Sequence, residues 1–297
     1  LEDPQGCRVV DFRESNLSLV GYSLPFEGTL SLEELQPHLY SLPEQPDSVP
    51  YVTSYYAPRW GFCLSHRQRE RLQSGQYHVV IRTSLAPGSL TYGEWLLPGA
   101  EATEVLLSTY VCHPSLANDN LSGPVLQVAL AKWLASKPRR LSYRLVFVPE
   151  TIGAIVYIHR HLADLKARVQ AGFVLTCVGD DRCFSYLPSR KGNTMTDRIC
   201  RHVLAHEVGS FKEYSFLDRG SDERQYCSPG VDLPVASIMR SKYGTYPEYH
   251  TSGDNLGLVS PKGLGESFAV YTACLEALEQ NRTYRTAQPC EPQLGKR

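Results

Sequence analysis

A histidine and an aspartate stand six residues apart in a polar loop that follows a short apolar run. The loop from Cys112 reads Cys-His-Pro-Ser-Leu-Ala-Asn-Asp-Asn-Leu-Ser-Gly, so His113 leaves the apolar run and Asp119 precedes a predicted helix. Zn²⁺ accepts both imidazole nitrogen and carboxylate oxygen, and the two side chains can converge on one cation. Taken singly, Asp119 can instead cap the helix, and His113 can be an ordinary loop histidine.

A glutamate, Glu150, follows the next apolar run, Tyr143–Pro149. Burial among apolar neighbours raises the proton affinity of a carboxylate. Beside a metal, such a carboxylate can take a proton from bound water, which predicts a general base. The alternative is a helix-start glutamate that the helix dipole stabilises.

A second histidine, His250, lies in a polar and aromatic loop before the last predicted helix. The loop reads Tyr-Pro-Glu-Tyr-His-Thr-Ser-Gly-Asp-Asn from Tyr246 to Asn255. This position predicts a third metal ligand, and the alternative is a histidine in a surface turn.

These segments together resemble the zinc aminopeptidase family that includes glutaminyl cyclases and the transferrin-receptor ectodomain. They are most similar to bacterial proteins with an aminopeptidase-like domain that occur in polysaccharide-biosynthesis contexts. Four motif blocks carry the resemblance, in the family's order over about 150 residues: Val105–Gly123, Pro149–Gly153, Gly220–Pro234 and Tyr249–Asp254.

The resemblance implies a role for each candidate residue. His113 matches the first metal-ligand histidine, Asp119 the aspartate that bridges two zinc ions, Glu150 the general base and His250 the last histidine ligand. It also implies a cis peptide bond between Asp119 and Asn120.

Two departures from the family pattern predict one zinc ion rather than two. Thr151 stands where two-zinc members have a metal-binding glutamate, and the later aspartate ligand has no clean match. Thr176 and Cys177 are nearest to that second position, and Asp180 or Asp181 lies beyond it. The loss of two carboxylates leaves too little negative charge for two adjacent dications, whereas three ligands suffice for one Zn²⁺ with an open position.

The segment Ser221–Gln225 resembles the part of the family that borders the substrate pocket. Its charged side chains can bind the amino or carboxylate end of a substrate, or they can form a solvated surface. The predicted substrate-binding residues are Asp180, Asp222, Glu223, Arg224 and Tyr249.

An aromatic cluster near the N-terminus comprises Tyr51, Tyr55, Tyr56 and Trp60. It can pack an N-terminal domain against the rest of the chain, or it can line the pocket. Cys112 adjoins a predicted ligand, but its apolar surroundings predict a buried, unreactive thiol rather than a nucleophile.

Alternating strands and helices must position these residues. Short apolar runs are predicted as strands at Val105–Val111, Tyr143–Pro149, Phe173–Val178 and Pro234–Met239. Helices are predicted at Ser122–Ala135, Ile152–Leu165 and Lys262–Gln280. The alternation predicts an α/β fold with a mixed, largely parallel sheet flanked by helices, as in zinc exopeptidases.

Ligand sites in such sheets lie beyond the carboxyl ends of the strands. This rule selects three loops, Cys112–Asn120, Glu150–Gly153 and Gly179–Arg182.

The first part of the chain has a different pattern. Short alternating segments (Arg8–Phe12, Leu17–Tyr22 and Tyr77–Thr83) are separated by Pro-bounded loops, and Ser31 is placed to cap a short helix. We therefore predict a small β-rich accessory domain over residues 1–88 and a catalytic domain over residues 89–297. By resemblance, related chains continue beyond both ends of this one.

Composition excludes some classes of function. The formal net charge is −1 without a long basic run, which argues against nucleic-acid binding through this segment. The apolar runs are too short to span a bilayer. The nine cysteines are scattered and odd in number, which predicts reduced thiols in the cytoplasm.

The sequence therefore predicts a zinc-dependent hydrolase that cleaves an amide bond in a small peptide-like or N-acylated substrate. One alternative is an amidase or deacylase of a biosynthetic or amino-sugar intermediate. Another is a catalytically silent binding domain, since the transferrin receptor shows that this fold can lose its metal site.

Overall fold

The computed structural model describes residues 1–291 and 295, and its strands fall into three sheets. In chain order the strands are β1 (Phe26–Ser31), β2 (Leu39–Tyr40), β3 (Phe62–Cys63), β4 (Gln76–Ile81), β5 (Gly93–Leu97), β6 (Glu104–Tyr110), β7 (Ser142–Val148), β8 (Val169–Val174), β9 (Phe184–Leu187), β10 (Phe211–Glu213) and β11 (Val235–Met239).

The α-helices alternate with these strands from β6 onward. They are α1 (Leu32–Leu35), α2 (His66–Glu70), α3 (Ser122–Ala135), α4 (Ile152–Arg168), α5 (Met195–Val203), α6 (Glu223–Tyr226) and α7 (Pro261–Gln280). Ser31 caps α1, as predicted, through a reciprocal capping box with Glu34.

The large sheet contains seven of the described strands in the order β10-β9-β11-β8-β6-β7-β5. Its central pairs β6–β7, β6–β8 and β8–β11 are parallel, as is β9–β10. The pairs β5–β7 and β9–β11 are antiparallel. The predicted α/β fold with a mixed, largely parallel sheet is therefore confirmed.

Both faces of the sheet are covered by helices, which explains the nearly continuous apolar runs of its central strands. Successive strand residues point to opposite faces. In β6, Val105 and Leu107 pack into a core with α3, α5 and α7. Leu106, between them, packs into the core that α4 and α6 form on the other face.

The N-terminal part has a small core of its own, formed by residues between Leu1 and Ile81. It contains the antiparallel pair β1–β4 and the parallel pair β2–β3. One of its loops reaches the rest of the chain, because the Tyr51 backbone N–H donates to the His250 carbonyl at 2.8 Å. The division at residue 88 stays a prediction.

Some predicted elements are wrong. Leu17–Tyr22 is not a strand, since a 3-10 turn forms at Asn16–Ser18, and Arg8–Phe12 contributes only an isolated bridge. The third predicted strand is displaced, because β8 ends at Val174. Beyond it, Cys177 adopts a positive φ and its backbone bonds to the ligand loop.

Within the described residues, no helix combines the length and the hydropathy needed to cross a bilayer.

Two glycines of α7 provide a matched test of the packing beneath the site. A Cβ at Gly263 would lie 2.2 Å from the Gly179 carbonyl oxygen, whereas a Cβ at Gly265 would meet nothing within 4 Å. We expect Gly263→Ala to lower the free energy of unfolding by about 1–3 kcal/mol through overpacking. Gly265→Ala should raise it by up to about 1 kcal/mol. Urea denaturation of both variants measures the free energy of unfolding. Equal values for the two variants would contradict the close packing of α7 at Gly263.

Candidate metal centre

The predicted site lies where two neighbouring parallel strands end. His113 comes three residues after β6, and Glu150 comes two residues after β7. Because carboxyl ends of parallel strands share one edge of the sheet, the two loops meet there. The structure therefore brings together side chains that are 37 positions apart in the sequence.

The three predicted ligands converge at this edge. The Asp119 carboxylate Oδ2 lies 3.1 Å from His250 Nε2 and 3.6 Å from His113 Nδ1. One ligand atom from each residue lies within 4.8 Å of the other two. Two imidazoles and one carboxylate form the donor set of a three-ligand zinc site, with room for a fourth ligand.

Protein atoms alone do not satisfy all the buried polar atoms of this cluster. His113 Nδ1 is buried and has no hydrogen-bond partner among the described residues. A buried polar atom without a partner costs about 1–3 kcal/mol unless something else satisfies it. A cation beside Asp119 would satisfy it, so the residues present fit a metal ion.

Asp119 presents only one oxygen to such a cation. Its Oδ1 accepts a hydrogen bond of 2.7 Å from the Tyr110 hydroxyl, which also lies 2.6 Å from Thr176 Oγ1. Burial opposes ionisation, but the hydrogen bond from His250 and the charge of His113 hold the pKa of Asp119 below its ordinary value. Asp119 is therefore an ionised carboxylate whose Oδ2 faces both histidines.

A further carboxylate, Asp254, organises the loop that carries the ligands. It accepts backbone N–H bonds from Ala117, Asn118 and Asp119 and a hydrogen bond from the Tyr246 hydroxyl. No role for Asp254 was predicted from the sequence, although the residue lies within one of the four motif blocks. The predicted cis peptide bond between Asp119 and Asn120 is confirmed.

We expect Asp254→Asn to weaken zinc binding by about 10–100-fold, the range seen when a partner behind a metal ligand is lost. In the variant, the side-chain NH₂ group would face backbone N–H donors that bond to a carboxylate oxygen in the wild type. Two donors cannot bond to each other, so at least one of these hydrogen bonds would be lost. A competitive zinc titration measures the change. Asp47→Asn is the control, since Asp47 is exposed and pairs only with Arg67. Equal zinc affinity of the two variants would show that Asp254 does not hold the ligand loop.

The predicted base faces the ligand cluster. Glu150 Oε2 lies 3.7 Å from His113 Nε2, and Oε1 accepts a hydrogen bond of 2.9 Å from the Ser221 hydroxyl. Burial, followed by the nearby charges of Asp119 and Asp222, raises the pKa of Glu150 to about 8. Asp119, Glu150 and Asp222 thus place three carboxylates close together, which is a second indication that the site accommodates a cation.

Thr151, where two-zinc relatives have glutamate, has φ 60° and ψ −70°. Asp222 Oδ1 accepts a hydrogen bond of 2.7 Å from its backbone N–H. The contact fixes the turn that follows Glu150. Burial raises the pKa of Asp222 to about 7, and its Oδ2 has no hydrogen-bond partner.

The other predicted pocket residues differ in their surroundings. Glu223 is buried and accepts hydrogen bonds from two backbone N–H groups of its own loop and from Tyr243. Asp180 is buried, and its carboxylate accepts hydrogen bonds from the Asn118 side chain and from the backbone N–H and hydroxyl of Ser241. Arg224 is exposed. Substrate contacts of all these residues stay predictions.

Aromatic side chains line the ligands. Tyr249 stacks on the His250 ring at 3.9 Å between centroids, and Tyr51 meets both His113 and His250 edge-on at 5.2 Å. Tyr51 therefore packs the N-terminal part against the predicted ligands, and a role in lining a substrate pocket stays a prediction. Trp60 instead stacks on His38 within the N-terminal part.

Cys112 is half-buried rather than fully buried, which corrects the prediction in part. Its Sγ lies within 4.8 Å of ligand atoms of His113 and Glu150. Burial and the charge of Glu150 raise the pKa of the thiol to about 11. Cys112 is therefore a thiol rather than a thiolate at neutral pH, as expected of an unreactive cysteine.

Comparisons with known proteins agree with this geometry. The model of a family described as a domain of unknown function (DUF4910) matches residues 4–281. A candidate polysaccharide biosynthesis protein with an aminopeptidase-like domain, from Clostridium acetobutylicum, is 45% identical over 298 residues, covering 100% of this chain and 68% of that protein. The crystal structure of a candidate peptidase from the same species has a TM-score of 0.94 at 44% identity, covering 100% of this chain and 70% of that one.

More distant structures share the fold alone. A zinc aminopeptidase from Bacillus subtilis has a TM-score of 0.61 at 16% identity, covering 82% of this chain and 65% of its own. The glutaminyl cyclase of Porphyromonas gingivalis has a TM-score of 0.52 at 15% identity, covering 62% and 75% respectively. The chain therefore belongs to the DUF4910 family and carries an aminopeptidase-like domain with the fold of zinc aminopeptidases.

Proposed function

We propose that the protein is a zinc-dependent hydrolase of amide bonds, of the aminopeptidase type. The observation that carries the proposal is the convergence of His113, Asp119 and His250, with Glu150 Oε2 3.7 Å from the first of them. Two imidazoles, a carboxylate and a buried glutamate match the residues that metal-dependent hydrolysis requires.

His113, Asp119 and His250 would hold the zinc ion. When bound, zinc supplies a Lewis acid that polarises the substrate carbonyl and lowers the pKa of water. In its ionised form, which a pKa of about 8 places toward mildly alkaline pH, Glu150 accepts a proton from the attacking water and returns it to the leaving amine. Ser221 orients the base by donating to Oε1, which leaves Oε2 free to carry the proton.

The chain's own residues favour one zinc ion. By the resemblance, Thr151 provides a neutral hydroxyl, a poor zinc ligand, where the two-zinc pattern has a glutamate. The later aspartate of that pattern has no clean match, and Thr176 and Cys177 are nearest to its position. Tyr110 occupies the second oxygen of Asp119, which would otherwise be free for a neighbouring ion. Both features support a single ion between the two histidines.

The substrate we propose is a small peptide-like or N-acylated amide. A second candidate is the N-acyl group of an amino sugar, which the name of the Clostridium relative favours. The third alternative, a silent binding domain, does not explain why both histidines and the glutamate converge. We also propose a cytoplasmic location, since all nine cysteines are unpaired.

A substrate screen tests the proposal. Zinc-loaded protein is incubated with aminoacyl amides, N-acetylated amino sugars and glutamine-like amides, each with and without a chelator. We expect turnover of one class that the chelator abolishes and added zinc restores. Turnover that survives complete zinc removal would contradict metal-dependent hydrolysis, and binding of amides without turnover would support the silent domain.

A further inference from the structure

A cavity separate from the metal centre lies between β9, β10 and the loop that follows β11. Its volume is about 440 Å³, and neither the three predicted metal ligands nor Glu150 line it. Its polar lining includes Arg182, Ser185, Lys212 and Ser241, and no carboxylate side chain of the described residues lines it. Tyr214 and Tyr246 form part of its wall.

Two lysines place positive charge beside this cavity. The ammonium groups of Lys212 and Lys242 lie 4.7 Å and 5.3 Å from the centre of the Tyr214 ring. Arg182 is neutralised by Glu248 at 2.8 Å, but neither lysine has an ion-pair partner in the described part of the chain. The charge of Asp218 raises the pKa of both lysines, and the charge of Glu223 raises that of Lys242, but neither carboxylate forms an ion pair with them among the described residues.

Lys242 is also largely buried, with only 7% of its surface exposed. Its ammonium lies 4.1 Å from the centre of the Tyr243 ring, and its one hydrogen bond within the described residues is a 3.3 Å contact with the Tyr243 carbonyl, although an ammonium has three donors. Burial lowers its pKa, which shows the electrostatic cost of this position. An anion nearby would offset that cost.

A buried hydroxyl adds a directional donor. Ser185 is 1% exposed, and in the part of the chain that the structure describes its Oγ has no hydrogen-bond partner. Ser185 pairs with Lys212 across β9 and β10, so the two side chains are neighbours on the sheet. An unpaired buried hydroxyl is unfavourable unless a ligand or water meets it.

We propose that this cavity binds the phosphate or carboxylate group of a small anionic molecule. Lys212 and the Ser185 hydroxyl, which line the cavity, supply a charge and a hydrogen bond, and Lys242 adds positive charge from outside the lining, beside Tyr214. The occupant would touch Tyr246, whose hydroxyl donates to Asp254 and so supports the ligand loop. The proposal does not depend on the hydrolase activity proposed above.

Isothermal titration of the full chain with inorganic phosphate, and separately with citrate, tests the site. We expect saturable binding of at least one anion, weakened about tenfold or more by Lys212→Met, because a charge-assisted hydrogen bond is lost. Lys212→Arg should retain binding, and Lys132→Met, an exposed lysine on α3, should leave it unchanged. The anion that binds more tightly identifies the group the cavity selects.

The proposal is overturned if neither anion binds saturably. It is equally overturned if Lys212→Met binds as tightly as the wild type, or if Lys132→Met weakens binding to the same extent. Because Lys212 is exposed on a short edge strand, loss of folding does not confound the comparison.

Discussion

Glu150→Gln is expected to keep its zinc and to lose hydrolysis by about 10²–10⁴-fold, the contribution usual for a general base. The amide keeps the shape of the side chain and can still accept from Ser221, but it cannot take a proton from water. Because Glu150 lies beside His113 without being one of the three proposed ligands, zinc content should not fall. The measurement pairs kcat on the substrate found by screening with elemental analysis of the same preparation.

Glu33→Gln is the matched control, since Glu33 is exposed in α1 and belongs to the N-terminal part. It should retain both zinc and turnover. Wild-type turnover by Glu150→Gln would exclude Glu150 as the base. Loss of zinc from that variant would instead assign Glu150 as a metal ligand.

His250→Ala should weaken zinc binding by more than about 100-fold, the upper end of what loss of a partner behind a ligand costs. The substitution removes the nitrogen that lies 3.1 Å from Asp119 Oδ2 and leaves two protein ligands. It also leaves the buried Asp119 carboxylate with one histidine fewer to offset its negative charge. Folding should survive, because His250 lies in a loop and its side chain is one-third exposed.

Competition with a chromophoric chelator measures this zinc affinity, and circular dichroism confirms the fold. His159→Ala is the control, because His159 is an exposed residue of α4. If the His250 variant binds zinc as tightly as the His159 variant, His250 is not a ligand and the centre must be assigned differently.

The central strands and the ligand loops were predictable from the sequence because burial on both faces leaves a strong local pattern. Runs such as Tyr143–Pro149 are apolar without alternation, and the polar residues after them mark the carboxyl edge of the sheet. The short edge strands β5 and β10 lack such a pattern. Strand β5 reads Gly-Glu-Trp-Leu-Leu and four of its five residues are exposed, so it lacks the longer apolar run that marks a strand buried on both faces.

The residues that hold the predicted ligands in place were harder to predict than the ligands themselves. Asp254 acts through backbone N–H groups more than 130 positions away in the sequence, and no local spacing reveals such a bond. Tyr51 comes from the N-terminal part and reaches the histidines only through tertiary packing. The position of Asp119 beside His113 and His250 was predictable because its loop carries a family motif, whereas its hydrogen bond to Tyr110 required the folded sheet.

The number of zinc ions per chain tests the account most directly. Purified protein is stripped of metal, reloaded with excess zinc, desalted and analysed by inductively coupled plasma mass spectrometry against protein concentration. One equivalent is expected, because three predicted ligands converge, Thr151 stands where the family pattern predicts a second-site glutamate, and the later aspartate of that pattern has no clean match in this chain. Two tightly bound equivalents, or none after reloading, would contradict a single-zinc centre formed by His113, Asp119 and His250.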